Sequence, residues 1–412
     1  MTERNYFYYS LLTAVVLILL LLTKIVYSSA NDLSRFFTIR SVGVEHTLVI
    51  FQDAETKYAD TIYLPGRGWY SDKPPLLSIT AAGIFLLLRS LGILSDPVLA
   101  SSANANYYIL TLIFSGLPLL IFFWLWHRAL KKMTLAKRSQ NFWLLLGAGG
   151  TLLLPFATIF SNHVITALLA FVSFYLIIAK KITSKTLWAL GLLVGLLPAI
   201  DVPFGFFWLI IITLLIWPQI KKNYWPYLIS LIPGIILTLF LNWLTSGNIL
   251  PMYLVAKQYL SLPQNNWRTD LTIRPPWQIV VDFGQALVGL KKGLFVYTPI
   301  LLLGFWALLR NTRSLLLGYQ RQVLFWGSLI YIFSVIALTN DLGGQSYGLR
   351  WALPLVPIWL WAAAEYWPQL STKSKYIWAI IGLFSVLMSI GGLIDPWQST
   401  QNFTLWNLVA SL

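Results

Sequence analysis

The 412-residue chain contains no cysteine, which excludes a disulfide scaffold and a thiolate metal protein. Charge is scarce as well: only 10% of residues are Asp, Glu, Lys or Arg, which fits neither an ordinary water-soluble globule nor a charged disordered tail. There are three histidines, no His-x-x-x-His pair and no clustered acid set, so a tightly held metal is not expected. No glycine-rich loop stands at a strand-to-helix turn to cradle a nucleotide phosphate. Internal repeats, heptads and low-complexity tracts are missing too.

What fills the chain instead is apolar. Hydrophobic residues make up 58%, aromatics 16%, and the mean hydropathy is +0.71. Crossing roughly 30 Å of hydrocarbon at about 1.5 Å per residue takes about 20 apolar residues. Runs near that length lie at 7–28, 77–94, 107–127, 142–160, 164–180, 186–200, 203–217, 225–243, 294–310, 323–339, 351–366 and 376–394. The sequence therefore predicts an all-α polytopic membrane protein. The net charge of +15 invites a nucleic-acid partner, but that needs a basic face on a soluble domain, and none is present, so no such partner is expected.

In a membrane protein, positive charge reports topology first. Arg128/Lys131/Lys132/Lys137/Arg138, Lys180/Lys181/Lys185, Lys221/Lys222, Arg310/Arg313/Arg321 and Lys373/Lys375 mark short cytoplasmic connections. They share one side only if one run before residue 127 fails to span. The weakest is 77–94, which follows Pro74-Pro75, carries Arg89 and reads as an interfacial or re-entrant helix. Eleven spans result, with the N-terminus cytoplasmic and the C-terminus outside. All acidic residues except Glu3 and Glu365 then fall outside, as do the two long loops, about 29–76 and 244–293. Long loops of this kind usually carry function, so any chemistry is expected on the outer face. Residues 1–412 are expected to form a single transmembrane domain without a separate soluble one. A cleavable signal peptide ending at Ser28-Ser29-Ala30 is the other reading of the first run, which is long for that role.

The first outer loop gathers charge beside the first span: Asp32, Arg35, Arg40, Glu45, Asp53, Glu55, Asp60, Asp72 and Lys73. Charges at the lip of a bilayer are costly unless paired or hydrated, which makes the loop a site candidate. Structure alone also accounts for several of them. Asp32 stands where a helix N-cap would be, one turn ahead of Arg35, and Lys73 before two prolines fits a snorkelling lysine.

Asp32-Leu33-Ser34-Arg35-Phe36 after the first span, with Tyr70-Ser71-Asp72-Lys73-Pro74-Pro75-Leu76 closing the loop, resembles the GT-C superfamily of membrane glycosyltransferases, in particular the protein O-mannosyltransferase and aminoarabinose transferase branch. Ser161-Asn162-His163, Gly293-Leu294-Phe295-Val296-Tyr297-Thr298-Pro299 and the segment from Asp341 through Ser346-Tyr347-Gly348-Leu349-Arg350-Trp351 are similar to the same superfamily. The resemblance covers about residues 5–366. It implies Asp32 as general base and Lys73 as a contact of the donor's lipid phosphate, with Asp72 beside it. Two departures accompany it: Leu33 stands where the aminoarabinose branch has a second acid, and the loop between the motifs is longer. Glu45, Asp53 and Asp60 are therefore alternative bases.

The implied reaction moves a sugar from a polyprenyl phosphate to an acceptor on the outer face of a prokaryotic inner membrane, the acceptor being protein, lipid or polysaccharide. A glycosidase needs two carboxylates because its alkoxide leaving group must be protonated. A polyprenyl phosphate leaves as a stabilised anion, so one carboxylate for the acceptor's proton and cations around the phosphate suffice. Asp32, Lys73 and Arg350 form such a set, since a guanidinium suits bidentate phosphate contact. Arg35, Asp72, Tyr70, His163, Asp201 and Tyr347 are expected in support. Each has a plainer reading: Arg350 as an interfacial anchor, His163 as a bundle hydrogen-bonder, Asp201 as a helix cap. No resident cofactor is expected, and a weak divalent ion bridging carboxylate and phosphate is the one metal role left open. A transporter or flippase of lipid-linked sugars would need charges deep in the spans and symmetry between halves, whereas apart from Asp201 and Glu365 the charges lie at span ends or in loops. An inactive scaffold of the same fold is the third reading.

Overall fold

The computed structural model describes residues 3–27, 29–51, 59–95, 104–179, 182–220, 223–259, 261–265, 275–310, 316–339 and 342–397. The chain is mostly helical, as a lipid solvent demands: backbone groups with no water to bond must be satisfied within the segment. Helix α1 (Glu3–Leu22) leads to α2 (Ala30–Val44), an antiparallel hairpin of β1 (Thr61–Leu64) and β2 (Gly68–Ser71), and α3 (Leu76–Ser90). The hairpin pairs Ile62 with Tyr70 and Tyr63 with Trp69, and its tight turn places Gly66 at φ 71° and Gly68 at φ 106°.

Asp32 is not the cap of α2. Ser29 is: its hydroxyl accepts from the Asn31 amide at 3.0 Å, and Asp32 falls in the first turn. Helix α3 has 15 residues, or about 22 Å at about 1.5 Å per residue, and packs one face on α2, where the bare Gly43 lets the Phe85 ring close in. Phe36, Ile39, Leu77, Ala81 and Phe85 form its apolar seam together with Tyr107, Leu110 and Phe160.

Among the described residues, four helices are long and apolar enough to cross a membrane: Ala105–Lys132, Trp225–Ser246, Gly318–Leu338 and Thr372–Ile394; Tyr6–Leu22, Leu76–Ser90, His163–Ile178, Ser184–Ile200 and Val202–Pro218 are shorter apolar helices. The first is α4 (Ala105–Thr111) and α5 (Leu117–Lys132) joined by a π turn at Leu112–Gly116, just ahead of Pro118, whose missing N–H breaks the regular ladder. Other expected spans are divided by their own residues. Run 142–160 becomes α6 (Lys137–Gly149) and α7 (Leu153–Phe156) around Gly149-Gly150; 294–310 becomes α14 (Leu294–Tyr297) and α15 (Leu301–Leu309) around Thr298-Pro299; a 3-10 turn, Arg350–Leu355, precedes α17 (Val356–Tyr366).

Between these run α8 (His163–Ala179), α9 (Ser184–Ile200), α10 (Val202–Ile220) and α11 (Trp225–Ser246). Helices α9 and α11 touch backbone to backbone: a Cβ on Gly234 would collide with the Gly195 main chain, and one on Gly191 with Ser230. Small residues replace hydrophobic drive where lipid is as apolar as leucine. Short α12 (Met252–Ala256) and amphipathic α13 (Pro276–Val288) precede α14, and α16 (Gly318–Leu338) and α18 (Thr372–Ile394) complete the helices.

Lys131 and Lys132 close α5 and Lys137 and Arg138 open α6, and Trp367 Nε1 donates to Ser139 Oγ at 3.0 Å. Asp395 follows the last turn of α18. There Lys24 Nζ donates to the Leu393 and Ile394 carbonyls at 3.2 and 2.8 Å, satisfying the last turn of α18. Burial pushes the Lys24 ammonium below its usual value, partly offset by Asp395.

Candidate active site

A cavity of about 450 Å³ opens beside Asp60, Asp72 and Asp201. Its walls come from segments far apart in the chain: Asn31 and Arg35 of α2, Asp60 and Asp72-Lys73-Pro74 around the hairpin, Asn162-His163 at the start of α8, Asp201 between α9 and α10, Tyr253 of α12, Tyr331 of α16, and Arg350. A space of this size suits a sugar phosphate.

Arg35 is 2% exposed and is clamped from two sides. Its Nε donates to Asn31 Oδ1 at 3.2 Å, one helical turn back, and its Nη2 donates to Asn162 Oδ1 at 2.8 Å. The remaining fork, Nη1, is buried and has no hydrogen-bond partner among the described residues. A buried donor left open costs about 1–3 kcal/mol, more when charged, unless a ligand supplies an acceptor. Burial pushes the guanidinium down to about 10, against the pull of Asp201 and Asp72, so it stays charged at neutral pH.

Asn162 passes the network on. Its Nδ2 donates to Asp201 Oδ2 at 2.8 Å, and His163 Nδ1 lies 3.6 Å from the same oxygen. Across the cavity, Lys73 Nζ sits 2.9 Å from Asp60 Oδ2 and 3.0 Å from Asp72 Oδ1, bridging two carboxylates. The hairpin sets this bridge: the Asp60 amide donates to the Ala30 carbonyl at 3.0 Å and the Asp72 amide to the Asp60 carbonyl at 3.2 Å, tying both ends of the loop to the start of α2. Arg350 is 9% exposed, with its guanidinium 4.9 Å from the centre of the Trp397 ring.

Asp32 stands elsewhere. It is fully buried, its Oδ2 accepts from the Tyr107 hydroxyl at 2.7 Å, and it is not among the residues lining the cavity. One residue along a helix is a rotation of about 100°, so while Asn31 and Arg35 share the cavity face, Asp32 turns toward α4. Tyr70 is buried against Met252 and Val255 as part of the hairpin's packing face. Tyr347 anchors a turn: its amide donates to the Pro396 carbonyl at 2.9 Å and its hydroxyl to the Met388 carbonyl at 2.7 Å. Gly348 at φ 69° turns the chain beside it and delivers Arg350 to the wall. Glu45 is the C-cap of α2, 3.8 Å from Arg40, and lies off the wall; Asp53 lies outside the described residues.

The sequence reading assigned no role to Asn31, Asn162, Tyr107, Tyr253 or Tyr331. Asn31 and Asn162 had a usable signal, since an amide next to an apolar run must find a partner when buried. Tyr253 is raised by burial and by the nearby Asp201. Among the described residues, no three His, Asp or Glu side chains converge as a metal site.

No family model matches the sequence, and no curated protein matches it. Among solved structures, the crystal structure of ArnT from Cupriavidus metallidurans in the apo state is similar, with a TM-score of 0.55 at 11% identity, covering 99% of this chain and 74% of that one. The likeness is one of fold.

Proposed function

We propose that the protein is a membrane glycosyltransferase that moves a sugar from a polyprenyl phosphate to an acceptor hydroxyl on the outer face of a prokaryotic inner membrane. The observation that carries this is the convergence of Arg35, Lys73 and Arg350 on one cavity wall. Cations fixed in a shielded cleft stabilise the charge that a departing phosphate develops. The acceptor's proton goes to a group in the wall, where Asp60, Asp72 and Asp201 are available, rather than to Asp32. A divalent ion bridging carboxylate and phosphate would compete with Lys73 for Asp60 and Asp72.

The sidedness follows from the basic connections facing the cytoplasm. With no native cysteine to interfere, Asn248→Cys is expected to label from outside and Thr134→Cys not. The reverse pattern would turn the cavity inward and remove a polyprenyl donor presented outside.

The activity test supplies membranes with radiolabelled polyprenyl-phosphate sugars and follows label into acceptors. Wild type is expected to transfer, and Lys73→Ala and Arg35→Gln to lose donor binding while remaining folded. A folded wild type that transfers from no such donor sinks the proposal. That result would favour the inactive-scaffold reading, for which the position of Asp32 off the cavity speaks.

A further inference from the structure

Two of the three wall carboxylates share one ammonium, since Lys73 bridges Asp60 and Asp72. Asp201 is set differently. Asn162 Nδ2 holds its Oδ2 at 2.8 Å, and the next residue places an imidazole against the same oxygen, His163 Nδ1 at 3.6 Å. Both side chains are less than a tenth exposed, both belong to the cavity wall, and Nδ1 has no hydrogen-bond partner among the described residues. Phe156 packs edge-on against the ring, 6.3 Å between centres. A carboxylate facing one ring nitrogen selects the tautomer that leaves the other nitrogen basic. The gap of 3.6 Å is longer than a hydrogen bond, as catalytic contacts often are before a substrate closes a site.

We infer that His163 and Asp201 work as a pair on the acceptor, His163 Nε2 taking the hydroxyl proton while Asp201 holds Nδ1–H. This rests on the glycosyl-transfer reading above and adds a base to it. The acceptor oxygen forms its bond to the anomeric carbon as the bond from that carbon to the phosphate oxygen breaks, the electron pair leaving with the polyprenyl phosphate. The proton stays on Nε2, balanced by Asp201, and passes to water after the product departs. Arg35 and Arg350 are the cations acting on His163, and the Tyr253 and Tyr331 hydroxyls lie within the field of Asp201.

The experiment uses the purified full chain in liposomes with a labelled polyprenyl-phosphate sugar, reading donor binding and single-turnover transfer across pH for wild type, His163→Gln and Asp201→Asn. Wild-type transfer is expected to fall in acid along a one-proton limb. His163→Gln is expected to slow transfer about 100-fold or more, with its residual rate lacking that limb. Donor affinity in that variant is expected to hold within about threefold, which separates proton transfer from donor capture. If His163→Gln does not fold, His163→Ala is assayed with added imidazole, and rescue is expected. A His163 variant with wild-type rate and acid limb, one that loses donor binding, or an alanine variant that imidazole does not rescue overturns the pair while leaving glycosyl transfer standing. A wild type without transfer overturns the underlying reading itself.

Discussion

Asp32 and Asp201 are both buried acids beside an apolar helix, yet their surroundings assign them different work. Asp32, in the first turn of α2, is fully buried and accepts from Tyr107 of α4. Asp201 accepts from Asn162, stands beside His163 and borders the cavity. A carboxylate in the expected motif position is thus not the same thing as a carboxylate with access. Asp32 is bonded to α4 from the helix that carries Arg35, and Asp201 borders the cavity.

The sharpest way to break this contrast is to neutralise each acid in turn. Asp201→Asn is expected to lower transfer about 100-fold or more, the scale of a lost proton acceptor or its orienter, and Asp32→Asn by less than about tenfold. The opposite ranking in the labelled-donor assay would return the base to Asp32. Next in size is Arg35→Lys, which gives up the planar fork that reaches Asn31 and Asn162 together. A charged hydrogen bond is worth about 1.5–3 kcal/mol, so donor affinity is expected to fall about tenfold or more in equilibrium binding.

Tyr107→Phe isolates the bond from Asp32 to α4. Removing the hydroxyl takes a buried donor from Asp32, with an expected loss of about 1–3 kcal/mol seen as an earlier thermal unfolding midpoint in detergent, while folded protein transfers at nearly the wild-type rate. The smallest effect belongs to Glu45→Gln. Its pair with Arg40 is long and partly exposed, so stability is expected to change by less than about 0.5 kcal/mol and transfer not at all.

The helical, lipid-embedded character of the chain was legible in its apolar runs, and the first loop announced itself through its charges. Lys73 and Asp72 were singled out because the segment that ends in Pro74-Pro75 resembles a motif of the GT-C superfamily, and both line the cavity. The face of α2 was not legible: motif matching fixes residue types, whereas a single-residue step turns a side chain by about 100°. Packing against α4 is what turns Asp32 away from the face that Asn31 and Arg35 share. The breaks at Thr298-Pro299 and Gly149-Gly150 were visible as residues but not as interruptions, because a span with an internal proline or glycine pair keeps its hydropathy. The hairpin was hidden in a loop with no alternating pattern long enough to read.

Lys24 seals the last turn of α18, and Tyr347 and Arg350 lean on Pro396 and Trp397. The order of synthesis therefore works against the order of assembly. The charged residues of α2 and the hairpin leave the ribosome early, but the segment that fixes Arg350 emerges more than 300 residues after them. Until then the cavity lacks one of its walls, and the charges meant to face it need water, lipid headgroups or an insertion factor for company. Because its parts converge from both ends of the chain, the site matures last, as a property of the finished bundle.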